Sequence, residues 1–521
     1  MNESQSQEPV FAFLSDPATH GGAAVKRIDT HAASVFLAGP RAFKVKRAVR
    51  FPFLDYSTLA KRKAACEAEL KINQPLAAEI YRRIVPITRR AHGGLEFNGA
   101  GTPVEWAVEM RRFDENATLD HLAATGRIDA ALADALGRAV AAAQAMAEPV
   151  ESAPWIKALA DYIEEHAGAF ASMPDVFPPG EAEALARASR AGYARLRPLL
   201  IERGRRGLIR RIHGDLHLGN VVLLDGRPVL FDAIEFSALI ASGDLLYDLA
   251  FLIMDLTERG LRPAANVVLN RYLIETGRVE DLDALAALPL FMSVRAAIRA
   301  KVTAARVTQG GAAEERALKM SARKYFDAAR SFIAPRKPVL IAVGGLSGTG
   351  KSVLARALAP DLAPAPGAVV LRSDIERKAL FGTDEAEKLP DHAYTPEVTS
   401  RVFATLADKA RRALAAGYSA VVDAVFSQPD ERKLMQQSAA ALGVPFYGLF
   451  LTADLATRIA RVGGRGHDAS DADPAVARKQ ETYDVGTIDW ARIDASGTPQ
   501  ETLARARANI ISAALPPLSL C

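Results

Sequence analysis

Two stretches of this sequence carry groups that handle phosphate. Gly345-Leu346-Ser347-Gly348-Thr349-Gly350-Lys351-Ser352 fits the pattern G-x-x-x-x-G-K-[ST]. Gly345, Gly348 and Gly350, with Ser347 and Thr349 between them, let backbone N–H groups turn inward around phosphate oxygens. A helix N-terminus behind them adds its positive dipole end. Lys351 would reach the β- and γ-phosphates of ATP, and the Ser352 hydroxyl would ligate Mg²⁺. The second stretch is His213-Gly214-Asp215-Leu216-His217-Leu218-Gly219-Asn220, with Asp232 twelve positions beyond Asn220. Between them, Asp225-Gly226 separates two apolar runs, which signals a hairpin. Folding about residue 226 would set Asn220 opposite Asp232. Two oxygen-bearing side chains then meet at one edge, which suits Mg²⁺ held between ATP phosphates. Asp215 lies nearby and can orient or deprotonate an acceptor hydroxyl.

Phosphoryl transfer also needs cations on the nucleotide. Ala42-Phe43-Lys44-Val45-Lys46 reads as a strand, so Lys44 and Lys46 share one face. Lys44 is preferred, because Phe43 and Val45 then pack on the opposite face, but Lys46 stays open. A helix over 57–73 offers Glu67 or Glu69 as its partner, and Glu69 precedes the apolar Leu70. Glu109-Met110-Arg111 ends a strand and could meet adenine with its backbone. In the later half, Asp374 ends a strand and would take the acceptor proton, with Arg377 one turn on. Asp423 ends the next strand, where it would hold Mg²⁺ through water. Arg458, Arg461 and Arg465 lie on a helix that runs into Gly463-Gly464. There Arg461 would meet the nucleotide and Arg465 would close over the transferring phosphate.

The elements behind these groups divide near residue 335. Pro335 and Pro338 bracket a short basic segment between a helix at about 311–332 and an apolar strand. This predicts domains at 1–335 and 336–521. The first opens with strands near 25–28, 34–37 and 42–45, continues with a strand at 104–110, and turns largely helical after 118. The second alternates strands at 339–343, 368–372, 419–422 and 446–451 with helices and then ends in helices, which predicts a parallel sheet covered on both faces.

The chain has 521 residues, a formal charge of +4 from 65 basic and 61 acidic side chains, and two cysteines. Such a balance argues against a dedicated nucleic-acid binder. Residues after 336 carry 21 basic and 21 acidic groups, so the whole excess sits in the first part. Cys66 and Cys521 cannot build a disulfide framework. The polar start lacks a basic-then-apolar leader, and no run reaches about 18 uninterrupted apolar residues. The expected location is the cytoplasm, without a membrane partner.

The segment 339–515 resembles small-molecule P-loop kinases such as gluconate kinase, chloramphenicol phosphotransferase and the zeta-toxin group. The phosphate loop, Ser373-Asp374, Val422-Asp423-Ala424 and the run Arg465-Gly466-His467-Asp468-Ala469-Ser470-Asp471-Ala472 carry that resemblance, which places the last run at or just after a lid over ATP. His213-Gly214-Asp215 through Asn220, then Asp232, has the spacing of the protein-kinase loop H-R-D-x-x-x-x-N. With Gly243-Asp244 and Tyr247-Asp248-Leu249-Ala250 it resembles the aminoglycoside phosphotransferase branch of the protein-kinase-like fold. That resemblance implies a bilobal domain with Asp215 as base, Asn220 and Asp232 as metal ligands, and Asp248 as a structural anchor. The order of the halves, with Thr30-His31, residues 51–55 and 66–70, is similar to bacterial bifunctional aminoglycoside phosphotransferase/ATP-binding proteins. The fold class expected is therefore mixed α+β and α/β: a bilobal kinase-like domain, then a P-loop NTPase sheet.

The function expected is ATP- and Mg²⁺-dependent phosphotransfer at two sites to small-molecule hydroxyls. The mildly basic first half argues against polycationic aminoglycosides as acceptors. One active kinase with a regulatory nucleotide-binding module is the alternative, and a nucleic-acid 5′-hydroxyl kinase ranks below it. The acceptors and the oligomeric state have no motif.

Overall fold

A computed structural model describes residues 6–51, 54–307, 312–464 and 469–514. The chain forms two compact units, residues 1–169 with 193–255, and residues 170–192 with 256–521. Pro335 and Pro338 do separate the helix Ala312–Ile333 from the strand Leu340–Gly345. The helices from 256 onward nevertheless share a compact unit with the parallel sheet.

The first unit holds a six-stranded antiparallel sheet in the order 25–29, 33–38, 41–46, 103–111, 81–89, 95–97. Its two faces follow the alternation in the sequence. Phe43 and Val45 pack with Phe36 and Ile87 against Phe11 and Leu14 of the helix Glu8–Ser15. On the other face Tyr81 and Val108 pack with Cys66 of the helix Leu59–Asn73. Thr58 caps that helix by accepting the Lys61 N–H. Nothing in the sequence announced the strand Tyr81–Arg89, because Pro86 interrupts its apolar run. Pro86 supplies only its carbonyl, which accepts the Asn98 N–H at 3.0 Å.

Later in the chain, the strand Ile209–Arg211 pairs antiparallel with Ser242–Asp244, and a hairpin joins Val221–Leu224 to Arg227–Leu230. Arg203 grips Asp244 twice, Nε to Oδ2 at 2.5 Å and Nη2 to Oδ1 at 2.8 Å, with both side chains buried.

The second unit contains the helices Arg262–Thr276, Val279–Ala284, Leu288–Ala304 and Ala312–Ile333, then a five-stranded parallel sheet. The strand order is 369–372, 420–423, 340–345, 446–452, 491–494. Ile341, Val343, Val421 and Leu449 meet Leu354 and Leu358 in its core. Asp423 stands in register with Val343 on one side and Arg372 on the other, so these three strand positions are level. The strand Ala491–Asp494 corrects the expectation that only helices follow 451. It is four residues long with charged side chains, and so lacks an apolar run. No helix among the described residues is long and apolar enough to cross a membrane.

Replacing Arg203 by Met would leave the buried Asp244 carboxylate without its partner, at a cost of about 3–5 kcal/mol. Urea denaturation of the variant should show a clearly lower midpoint; an unchanged midpoint would mean the pair contributes nothing net.

Candidate active sites

The first site begins with two lysines on one strand face and one buried glutamate. Lys44 Nζ donates to Glu69 Oε1 at 2.8 Å and to Asp232 Oδ1 at 2.5 Å. Lys46 Nζ lies 2.6 Å from Glu69 Oε2 and also pairs with Glu235, which accepts the Tyr56 hydroxyl at 2.8 Å. The choice between Lys44 and Lys46 thus resolves into two roles, one lysine toward Asp232 and the other toward Glu235. Glu69 is fully buried, whereas Glu67 sits at the surface, 3.6 Å from Lys63. Burial alone would lower the Lys44 pKa. The carboxylates of Asp232 and Glu69 outweigh it and hold the ammonium well above its ordinary value. Burial would likewise raise Glu69, yet Lys44 and Lys46 keep it below the usual carboxylate range.

The loop 213–220 is suspended from carboxylates. The N–H groups of His213 and Gly214 donate to Asp248 at 3.2 and 3.0 Å, and that of Leu218 donates to Asp255 at 3.0 Å. Asp248 and Asp255 are seven apart, hence on one helix face. Gly214 has φ +84°, and a Cβ there would lie 3.2 Å from Ala241 Cα, so the turn needs glycine. Asn220 Nδ2 donates to the Asp215 carbonyl at 2.9 Å and to its Oδ2 at 3.2 Å. The His217 ring is 3.5 Å from the same carboxylate, whose side chain is 41% exposed. His213 Nε2 meets the Phe231 carbonyl at 2.9 Å.

Asp225 and Gly226 both take positive φ, 48° and 76°, which closes the hairpin in two residues. Its register, Leu224 with Arg227 and Val221 with Leu230, corrects the expected facing by one position. Asn220 lies opposite Phe231, whose N–H donates to the Asn220 carbonyl at 3.0 Å, because the fold passes between 225 and 226. Asp232 follows at φ +61°, its N–H donating to the Tyr81 hydroxyl at 3.1 Å. Asn73, which sequence reasoning missed, brackets the next residue. Its Oδ1 accepts the Ala233 N–H at 2.7 Å and its Nδ2 donates to the Ala233 carbonyl at 3.1 Å. Only its position one turn after Glu69 hinted at this. Lys44, Asp215 and Asp232 line a cavity of about 570 Å³ with apolar walls that include Val35, Ala42, Ile80 and Met110. That size suits a nucleotide-scale ligand. The strand runs on through Arg111, whose N–H is taken by the Ile80 carbonyl at 2.7 Å; Met110 and Arg111 line the cavity.

In the second unit the loop between the strand Leu340–Gly345 and the helix Lys351–Leu358 is tightly backed. A Cβ on Gly345 would lie 2.6 Å from the Leu451 carbonyl oxygen, and one on Gly348 would lie 2.5 Å from that of Arg458. Gly350 turns at φ +91° into the helix. The Ser347 N–H donates to Gln480 Oε1 at 2.7 Å, and Thr349 Oγ1 donates to the Leu346 carbonyl at 2.8 Å. Lys351 Nζ reaches the same carbonyl at 3.3 Å. Arg372, another residue the sequence did not single out, joins Ser352 to Asp423. Its Nη2 donates to Ser352 Oγ at 3.2 Å and its Nε to Asp423 Oδ2 at 3.3 Å. Asp374 stands close by. Burial, then the Asp423 charge, push its pKa up, against the pull of Arg372 and Lys351 and a hydrogen bond from Ser470.

The arginine series does not act as one lid. Arg458 is buried behind the loop, donating to the Ser347 carbonyl at 2.9 Å and pairing with Glu481, so it braces the loop instead of closing over it. Arg461 lines a cavity of about 290 Å³ with Gly348, Thr349 and Gly350, while its guanidinium donates to the carbonyls of Ala495 and Gly497, each at 2.7 Å. Arg465 lies outside the described residues. Substituting Gly348 by Ala would force the loop off Arg458, and titration calorimetry with MgATP should show at least about a tenfold weaker second site.

Residues 38–288 match the family model of the phosphotransferase enzyme family, and residues 340–483 match that of the AAA domain. Uncharacterized proteins of Mycobacterium tuberculosis and Mycobacterium bovis are 28% identical over 490 residues, spanning 92% of this chain and 94% of theirs. A gluconokinase structure from Sinorhizobium meliloti is 22% identical over 34% of this chain and 95% of its own, with a TM-score of 0.25. A choline/ethanolamine kinase family protein from Mesorhizobium loti is 13% identical over 63% of this chain and 98% of its own, with a TM-score of 0.37. Along the chain, a segment similar to the phosphotransferase enzyme family is thus followed by one similar to the AAA domain.

Proposed function

We propose that the chain has two ATP- and Mg²⁺-dependent phosphotransfer sites, each passing the γ-phosphoryl group to a hydroxyl of a small molecule. The activities divide near residue 335, act in the cytoplasm and need no nucleic acid. The observation that carries this reading is a repeated constellation. Each unit sets a lysine, two oxygen ligands and a further carboxylate around one place: Lys44, Asn220, Asp232 and Asp215 in the first, and Lys351, Ser352, Asp423 and Asp374 in the second.

Hard oxygen donors in both sets suit Mg²⁺. Asp232 already attracts the Lys44 ammonium, and Ser352 shares Arg372 with Asp423. Bound Mg²⁺ would neutralise charge on the β- and γ-phosphate oxygens. Lys44 and Lys351 would hold phosphate oxygens in the two sites. Asp215 or Asp374 accepts the proton of the acceptor hydroxyl as its oxygen bonds to the γ-phosphorus. The bond from that phosphorus to the bridging oxygen breaks, and ADP leaves. The raised pKa of Asp374 suits a proton acceptor.

The test is a metabolite extract incubated with γ-labelled ATP and wild type, Asp215→Ala or Lys351→Ala. Each variant should lower a different labelled product by at least about a hundredfold. If neither changes transfer, the enzyme reading fails; if only one does, the other domain is a nucleotide-binding module.

A further inference from the structure

The strand Val369–Arg372 is the edge of the parallel sheet and pairs with a single neighbour, Ala420–Asp423. Arg372 is its last residue, and Asp374, expected at a strand end, lies in the first turn of the helix Ser373–Phe381 that follows. An edge strand presents a row of unpaired peptide groups. Here a helix of the same compact unit supplies the missing partner. Asn270 of the helix Arg262–Thr276 accepts the Val370 N–H on Oδ1 at 2.7 Å and donates from Nδ2 to the Ala368 carbonyl at 3.1 Å. The carbonyl of one residue and the N–H two residues on are the pair a further parallel strand would engage with the N–H and C=O of one of its residues. The Asn270 carboxamide takes that place. Asn266, one turn earlier and buried, adds a second donor to the Ala368 carbonyl at 3.0 Å. Gly367 permits the approach, since a Cβ there would lie 2.7 Å from Asn266 Nδ2.

A second tie reaches the helix that carries Asp374. Arg271 grips Glu385 at 2.5 and 3.2 Å. The Glu385 carbonyl accepts Lys378 Nζ at 2.6 Å, and Lys378 lies on the helix Ser373–Phe381. The helix Arg262–Thr276 falls inside the match to the phosphotransferase enzyme family, not inside the AAA match.

We propose that Asn270, supported by Asn266, is a positioning residue for the P-loop site: it sets the edge strand that places Arg372 and Asp374, so a helix of the first family's segment completes the second family's site. This rests on the P-loop site acting on ATP, as proposed above.

The experiment uses the full chain in an Asp215→Ala background, so that hydrolysis of γ-labelled MgATP reads the second site. Asn270→Leu removes both bonds at similar size. Amide exchange at Val370 should speed by at least about tenfold. Turnover should fall by at least about tenfold while KM for ATP stays within about twofold, because the phosphate loop is untouched. A role in packing alone would leave turnover of the folded protein unchanged. Asn270→Asp, which keeps the acceptor for the Val370 N–H, should fall between Leu and wild type. Wild-type exchange and turnover in folded Asn270→Leu overturn the proposal. If that variant does not fold, wild-type values in Asn270→Asp overturn it. If Lys351→Ala leaves hydrolysis unchanged, the P-loop reading fails separately, and Val370 exchange still judges the edge pairing.

Discussion

Charge taken out of water must find a partner, and that constraint shapes both sites. In the first, Lys44 and Lys46 face Glu69, Asp232 and Glu235, two cations against three carboxylates. The same pairings tie a strand, a helix and the segment after the hairpin into one arrangement. In the second, Arg372 stands between Ser352 and Asp423, while Asp374 experiences the Asp423 charge and is pushed toward its neutral form.

A second constraint is that irregular backbone near a site must still satisfy its hydrogen bonds. The loop 213–220 is held by Asp248 and Asp255 through three N–H groups. The phosphate loop is held by Gln480 and Arg458. Two asparagines do related work where no strand is available, Asn73 at Ala233 and Asn270 at the sheet edge. A carboxamide carries one donor end and one acceptor end, so it can stand in for a peptide unit. Lysine, leucine or aspartate could not serve both ends.

Much of this was legible because it is local. Turn chemistry at Asp225-Gly226 and alternation along 41–46 are written in neighbouring residues, and the strands they imply are present. The misses have physical causes. Pro86 hid a strand, since a proline usually excludes one. Ala491–Asp494 hid because a short, charged edge strand lacks the apolar run that marks a strand. The hairpin facing was off by one because a two-residue turn folds between residues, not about one. Arg458 read as part of a mobile series, but its neighbours in space, Ser347 and Glu481, are far away in sequence.

The sequence alone determined the two phosphate-handling motifs, their order and the folds that present them, because spacing, glycine placement and hydrophobic period act over a few residues. Only the tertiary structure decided the partners. It showed that one glutamate serves two lysines, that Arg372 joins Ser352 to Asp423, and that Asn270 finishes the edge of a sheet about a hundred residues away. Such pairings depend on burial and on which surfaces meet, and no local pattern records which distant charge or peptide group will be left needing a partner.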